Sequence, residues 1–209
     1  MLSRLIGRSY MVLMLGFATH ASALSFTLDQ SFGAVAASGE VAIDITTAMD
    51  GLSATIQIDT TDLTSPEFVK ELYLNTTDVS ALTGPNFGAS TPSLQSMSWG
   101  NECCKSDGDG KHDILLQFAK DAGSRLEAGA IYTVVLEGIG LTEAMFNDLG
   151  TLSDKGQFHA VAKINSTGVD GEGSDWIGDG NGVIPEPSAV ALYGVSLFLV
   201  GIAVRRRRS

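Results

Sequence analysis

Cys103-Cys104 is the least ordinary pair of reactive side chains in the chain. Adjacent cysteines that oxidise close an eight-membered ring through the peptide between them, a strained and easily reduced arrangement. Such a ring makes a rigid turn or a flat contact for a sugar or an aromatic ligand. Two thiols bonded to other chains are the alternative. A zinc site fits poorly, since neighbouring cysteines are badly placed to bind one ion together and only His112 is near in sequence. The expectation is a loop staple. Directly downstream, Asp107, Asp109 and Asp113 alternate with Gly108 and Gly110 much as in a calcium loop. Counted from Asp107, however, Lys111 falls at the fifth position and His112 at the sixth, where a ligand and a glycine belong. No glutamate closes the twelfth position. An acidic hairpin turn is the better reading, with calcium on Asp107, Asp109 and Asp113 as the alternative and no other cofactor implied.

Trp176 lies in a second acidic, glycine-rich stretch, Asp170 to Gly182. A tryptophan there usually caps a core. It could instead form a sugar-stacking platform with Trp99 and the Cys103-Cys104 turn, Asp175 or Asp179 accepting hydroxyl hydrogen bonds. Enzymatic chemistry has less to stand on. His112 and His159 are candidates, but no Gly-x-Ser-x-Gly elbow gives a Ser-His-Asp set weight. Glu137 with Asp113 is one of many carboxylate pairs in an acidic chain. There is no phosphate loop and no dinucleotide fingerprint. A non-catalytic protein is the expectation, with an exported hydrolase as the last alternative.

Short strands must position these residues. Ser25 to Leu28, Val41 to Ile45 and Ala54 to Asp59 come first; the last alternates so that Ile56 and Ile58 share one face. Glu71 to Asn75, Leu94 to Trp99, Asp113 to Phe118, Ile131 to Leu136 and Phe158 to Ile164 follow, with a long loop over Asp78 to Pro92. Antiparallel strands at this spacing predict a mainly β fold, an antiparallel, jelly-roll-like β-sandwich. One short helix is expected over Thr142 to Leu149, capped by Thr142, with Met145, Phe146 and Leu149 inward.

Both ends carry addresses. Arg4 and Arg8, an apolar stretch from Tyr10 to Ala18, and the small residues Ala21-Ser22-Ala23 predict a signal peptide over residues 1–23, cut by signal peptidase after Ala23. Domain 24–169 follows, then a Gly/Asp-rich loop and spacer over 170–184. The last segment, 185–209, holds Pro185-Glu186-Pro187, the 17 uncharged residues Ser188 to Val204, and Arg205, Arg206, Arg207 and Arg208. As a helix the apolar run is about 25 Å long, a short transmembrane span. The arginines keep their end in the cytoplasm. Pro185 and Pro187 leave an extended, accessible tripeptide at the other face. The whole chain has a net charge of −11; residues 24–183 alone carry 7 basic against 23 acidic side chains, −16. That field disfavours nucleic acid and anionic headgroups.

Pro185-Glu186-Pro187, a short apolar helix and a basic cluster, in that order, resemble the PEP-CTERM sorting signal of Gram-negative bacteria. The resemblance implies an exosortase that cuts near the tripeptide, transient anchoring in the inner membrane, and release to the outer envelope or beyond. The body is also similar to a recurrent extracellular β-domain found ahead of such tails. That similarity runs through Asp113 to Phe118, Gly138 to Thr142 leading into Phe146, Phe158 to Val161, and Gly173 to Gly178. It implies association with envelope, biofilm matrix or exopolysaccharide rather than an assigned reaction.

Overall fold

Alternation generates most of the architecture. In Val41-Ala42-Ile43-Asp44-Ile45, every second side chain is buried, and Ala54, Ile56 and Ile58 repeat the pattern. Burying each of these isoleucines stabilises the fold by about 1.5–3 kcal/mol before chain entropy is counted. The computed structural model describes residues 23–91, 94–106, 110–152 and 155–179. Ala21, Asp107, Asp109, Pro185, Glu186, Pro187, the expected span 188–204 and Arg205 to Arg208 lie outside the described residues, while Ala23 is exposed just before the first strand. No helix among the described residues is long and apolar enough to cross a membrane.

The chain is mainly β and its strands pair antiparallel throughout. The elements are β1 (Leu24–Leu28), β2 (Gln30–Ser31), β3 (Val41–Thr47), β4 (Ser53–Asp59), β5 (Phe68–Leu74), β6 (Leu82–Pro85), β7 (Ser96–Ser106), β8 (Gly110–Gln117), β9 (Leu126–Glu127), β10 (Ile131–Gly138), β11 (Ala160–Thr167) and β12 (Gly173–Gly178). One sheet has the order β1-β3-β4-β10-β6; the larger runs β2-β12-β11-β5-β8-β7, with β9 on β5. Their inward faces share one apolar core. Phe26, Ile43, Ile56, Val134 and Leu136 come from the first sheet, and Leu72, Leu74, Ile114, Leu116, Ala162 and Ile177 from the second.

Three expectations are corrected here. The long loop contains β6 and a 3-10 turn at Val79–Ala81, where the Asp78 carboxylate accepts from Ser80 N–H. Residues 173–178, expected to belong to a spacer, form β12, hydrogen-bonded to β11 on one side and β2 on the other. The folded body therefore reaches at least Asp179. The expected helix is only a 3-10 turn, Glu143–Phe146; Thr142 makes no side-chain cap. Phe146 is buried and Met145 packs on the core, but Leu149 is exposed. Tertiary contacts set this turn rather than a helical ladder: Thr77 N–H donates to the Met145 carbonyl, and the Glu143 carboxylate reaches across to β3.

Glu143 gives that contact a pH dependence. Burial pushes its pKa up, but hydrogen bonds from the Thr47 hydroxyl (2.6 Å) and amide (2.8 Å) outweigh burial and hold it below the ordinary carboxylate value. A carboxylate depressed on folding adds stability above its unfolded pKa and loses it as pH falls through the lower folded one. Glu143→Gln is therefore expected to flatten the loss of stability below about pH 4.5, a change that urea titrations at several pH values would read.

Candidate functional site

Tyr73 sits between inward Leu72 and Leu74, and Val161 between inward Ala160 and Ala162. Alternation sends both to the other face of the larger sheet. There they join Cys104, Phe158 and Trp176 in a second, smaller apolar cluster bordered by Phe32 and Leu115. Tyr73 and Trp176 meet at 5.6 Å between ring centroids with the planes tilted by 51°. Phe158 stacks on Phe32 at 5.3 Å and lies flat over Gly178, where any Cβ would collide with its ring.

Strand register sets a polar row beside these rings. Lys163 is paired with Trp176 on one side and with Glu71 on the other. Its ammonium lies 4.8 Å from the centroid of the Trp176 ring. The Glu71 carboxylate, nearly buried, accepts hydrogen bonds from Lys70 Nζ at 2.6 Å and Tyr73 O–H at 3.0 Å. Next to the row opens a shallow depression of about 300 Å³, lined by Glu71, Tyr73, Lys105, Ser106, Lys163 and Trp176.

Cys103 and Cys104 are joined by a disulfide, and they sit within β7 rather than in a separate loop. The register of β7 on β8 slips between Trp99 and Cys104, so that residues 100–103 stand opposite Asp113 alone. Glu102 adopts left-handed backbone at φ 49°. Asp113 holds this bulge: its carboxylate accepts from Glu102 N–H at 2.7 Å and Thr76 N–H at 3.2 Å. Cys103 Sγ rests 3.3 Å from the Asp113 carbonyl oxygen, a contact only, since a disulfide sulfur carries no proton. Asp113, committed to two amides and 8% exposed, is poorly placed as a calcium ligand. Among the described residues no group of three or more His, Cys, Asp or Glu side chains is arranged to hold a metal ion.

The structure brings together some of the residues expected to contact a ligand and separates others. Trp176 and Cys104 meet in the outer cluster. Trp99 does not join them; it pairs with Ile114 and leans over Gly84 of β6, at the edge between the two sheets. Trp176 is 7% exposed, so its ring forms a wall of the depression and not an open platform. Asp175 and Asp179, expected as acceptors for sugar hydroxyls, are buried and already engaged. Asp175 accepts from the amides of Gly33, Ala37 and Trp176, each at 2.8 Å. Asp179 accepts from the amides of His159 (2.7 Å) and Ala160 (2.9 Å) and pairs with His159 Nδ1 at 2.7 Å. His159 stacks on Phe26, and among the described residues no hydroxyl or thiol is hydrogen-bonded to its ring. His112 is fully buried, with Asn75 Nδ2 at 3.1 Å from its Nδ1.

Sequence reasoning passed over Glu71, Lys105, Ser106 and Lys163. A signal was present: Lys163 interrupts the apolar run Ala160-Val161-Ala162, and Lys70-Glu71 interrupts Phe68 to Leu74. A charge inside an otherwise buried strand marks a position where the sheet's second face is put to use. No family model, curated protein or solved structure matches the chain.

Proposed function

We propose that this is an exported protein of the cell envelope or exopolysaccharide matrix, a PEP-CTERM sorting substrate whose body has a structural or binding role and no catalytic one. The observation that carries the reading is the order Pro185-Glu186-Pro187, uncharged Ser188 to Val204, then Arg205 to Arg208. The apolar run is the proposed inner-membrane helix, with the arginines in the cytoplasm. The body is read as a jelly-roll-like sandwich, and it suits the role in two ways. Signal peptidase cutting after Ala23 leaves Leu24, the first residue of β1, at the new N-terminus. Beyond the clasped Asp179, only five residues precede Pro185, so exosortase can cut beside an intact domain.

The test is the intact mass of the protein recovered from its host, with and without exosortase. The expected result is loss of residues from about Pro185 onward only when the enzyme is present, abolished by Pro185→Ala with Pro187→Ala. An arginine-terminated chain in both strains would mean a plain membrane anchor. A second reading, a carbohydrate-binding module, is favoured by the meeting of Trp176 with Cys104 beside the depression.

A further inference from the structure

We infer that the depression between Lys105, Lys163 and Trp176 binds the carboxylate of an acidic sugar, an inference that rests on the proposed role in a polysaccharide matrix. Residues 24–183 carry only 7 basic side chains. Two of them line this one depression, and a third, Lys70, is tied to its Glu71 wall. In a body of charge −16 that is a local reversal of sign. Among the described residues neither Lys105 nor Lys163 has a carboxylate within ion-pairing distance, although Glu71 stands directly across the strand from Lys163. Glu71 is occupied instead by Lys70 and the Tyr73 hydroxyl.

The floor of the depression supplies an independent sign. Ser106 is fully buried, lines the depression, and its Oγ has no hydrogen-bond partner among the described residues. A buried hydroxyl left unpaired is costly, and an acceptor bound in the depression would satisfy it. Two ammonium groups with no carboxylate partner among the described residues, one of them over the Trp176 ring, and a hydroxyl donor suit a carboxylate. Tyr73 and Trp176 form an apolar wall against which the C–H face of a pyranose can lie. Glu71 retains lone pairs for ring hydroxyls, and the volume is at the small end of ligand sites, the scale of one or two sugar units. A neutral sugar would leave both ammonium groups uncompensated.

Calorimetric titration of the protein purified from its host, in whichever form the mass measurement finds, with a short oligogalacturonate tests this. Oligogalacturonate is expected to bind, more weakly as salt rises, while a neutral glucose oligomer of equal length does not. Lys163→Met, which keeps the stem over Trp176, and Lys105→Met, on an exposed side chain, should each weaken binding about tenfold. Lys120→Met, an exposed lysine elsewhere, should leave it unchanged. Ser106→Ala should weaken binding about threefold yet leave the melting temperature equal or higher, because it removes an unpaired buried hydroxyl. Equal binding of the neutral oligomer, or unchanged affinity in both Lys105→Met and Lys163→Met, overturns the inference. Displacement by inorganic phosphate as effective as by free galacturonate overturns its assignment to a sugar. If the tail is processed and oligogalacturonate does not bind, only this inference fails; if it binds to an unprocessed chain, only the sorting reading fails.

Discussion

Asp175→Ala is expected to destabilise the protein by about 3–5 kcal/mol, the largest loss for any exchange of a charged side chain in the body. The Asp175 carboxylate is completely buried and receives three backbone amides, two of them from the segment that leads from β2 to β3. Alanine removes the acceptor of all three amides at once and leaves donors that water reaches poorly. Gly33 is part of the device: a Cβ there would collide with the carboxylate, so only glycine lets its amide approach. Asp175→Asn retains one acceptor oxygen and should lose roughly half as much. Urea unfolding at neutral pH, followed by tryptophan fluorescence, measures both, with Trp176 beside the altered residue as reporter. A loss below about 1 kcal/mol in Asp175→Ala would show that the amides find other partners.

Asp179→Ala should cost about 2–4 kcal/mol by the same mechanism at the other end of β12. Here the carboxylate holds two amides at the start of β11 and the ring of His159. Its loss should also free the end of the strand, so hydrogen exchange at Trp176 to Gly178 is expected to accelerate more than at β3 and β4. Because the two aspartates fasten one strand, the double substitution should cost less than the two single losses added together. Strict additivity would show that β12 is held mainly by its ladder to β11.

Where local pattern and global burial agree, the fold was legible. β3 and β4 read directly from apolar alternation, since one face packs inward and the other meets solvent. β12 was not legible, because glycine and aspartate normally mark turns, and here long-range partners override that preference. The same cause hid the state of the acids. Glu67, Glu71, Asp113, Asp175 and Asp179 count toward a soluble, acidic surface in composition, yet each is buried. Glu67, for instance, receives the Ser38 amide and hydroxyl. Glu67 and Asp175 act as fasteners for loop amides that lie 29 to 142 residues away, a separation no window reveals. The depression escaped notice for a related reason: Lys105 and Ser106 of β7 are separated in the sheet from Lys163 of β11 and Trp176 of β12 by β5 and β8. Trp99 and Trp176, grouped by residue type, lie on separate surfaces.

The bulge at residues 100–103 has a consequence for how copies of this protein behave when crowded. β7 is an outer strand of the larger sheet, and eleven residues of open hydrogen-bonding edge would invite a second chain to add on. The left-handed Glu102 and the bridged Cys103-Cys104 break that edge midway, so no straight template longer than a few residues remains. The other margins are blunted as well: β2 has two residues, β6 has four and ends at Pro85, and β1 packs beside β11 and β12. A chain whose edges are broken this way is expected to resist strand-to-strand aggregation.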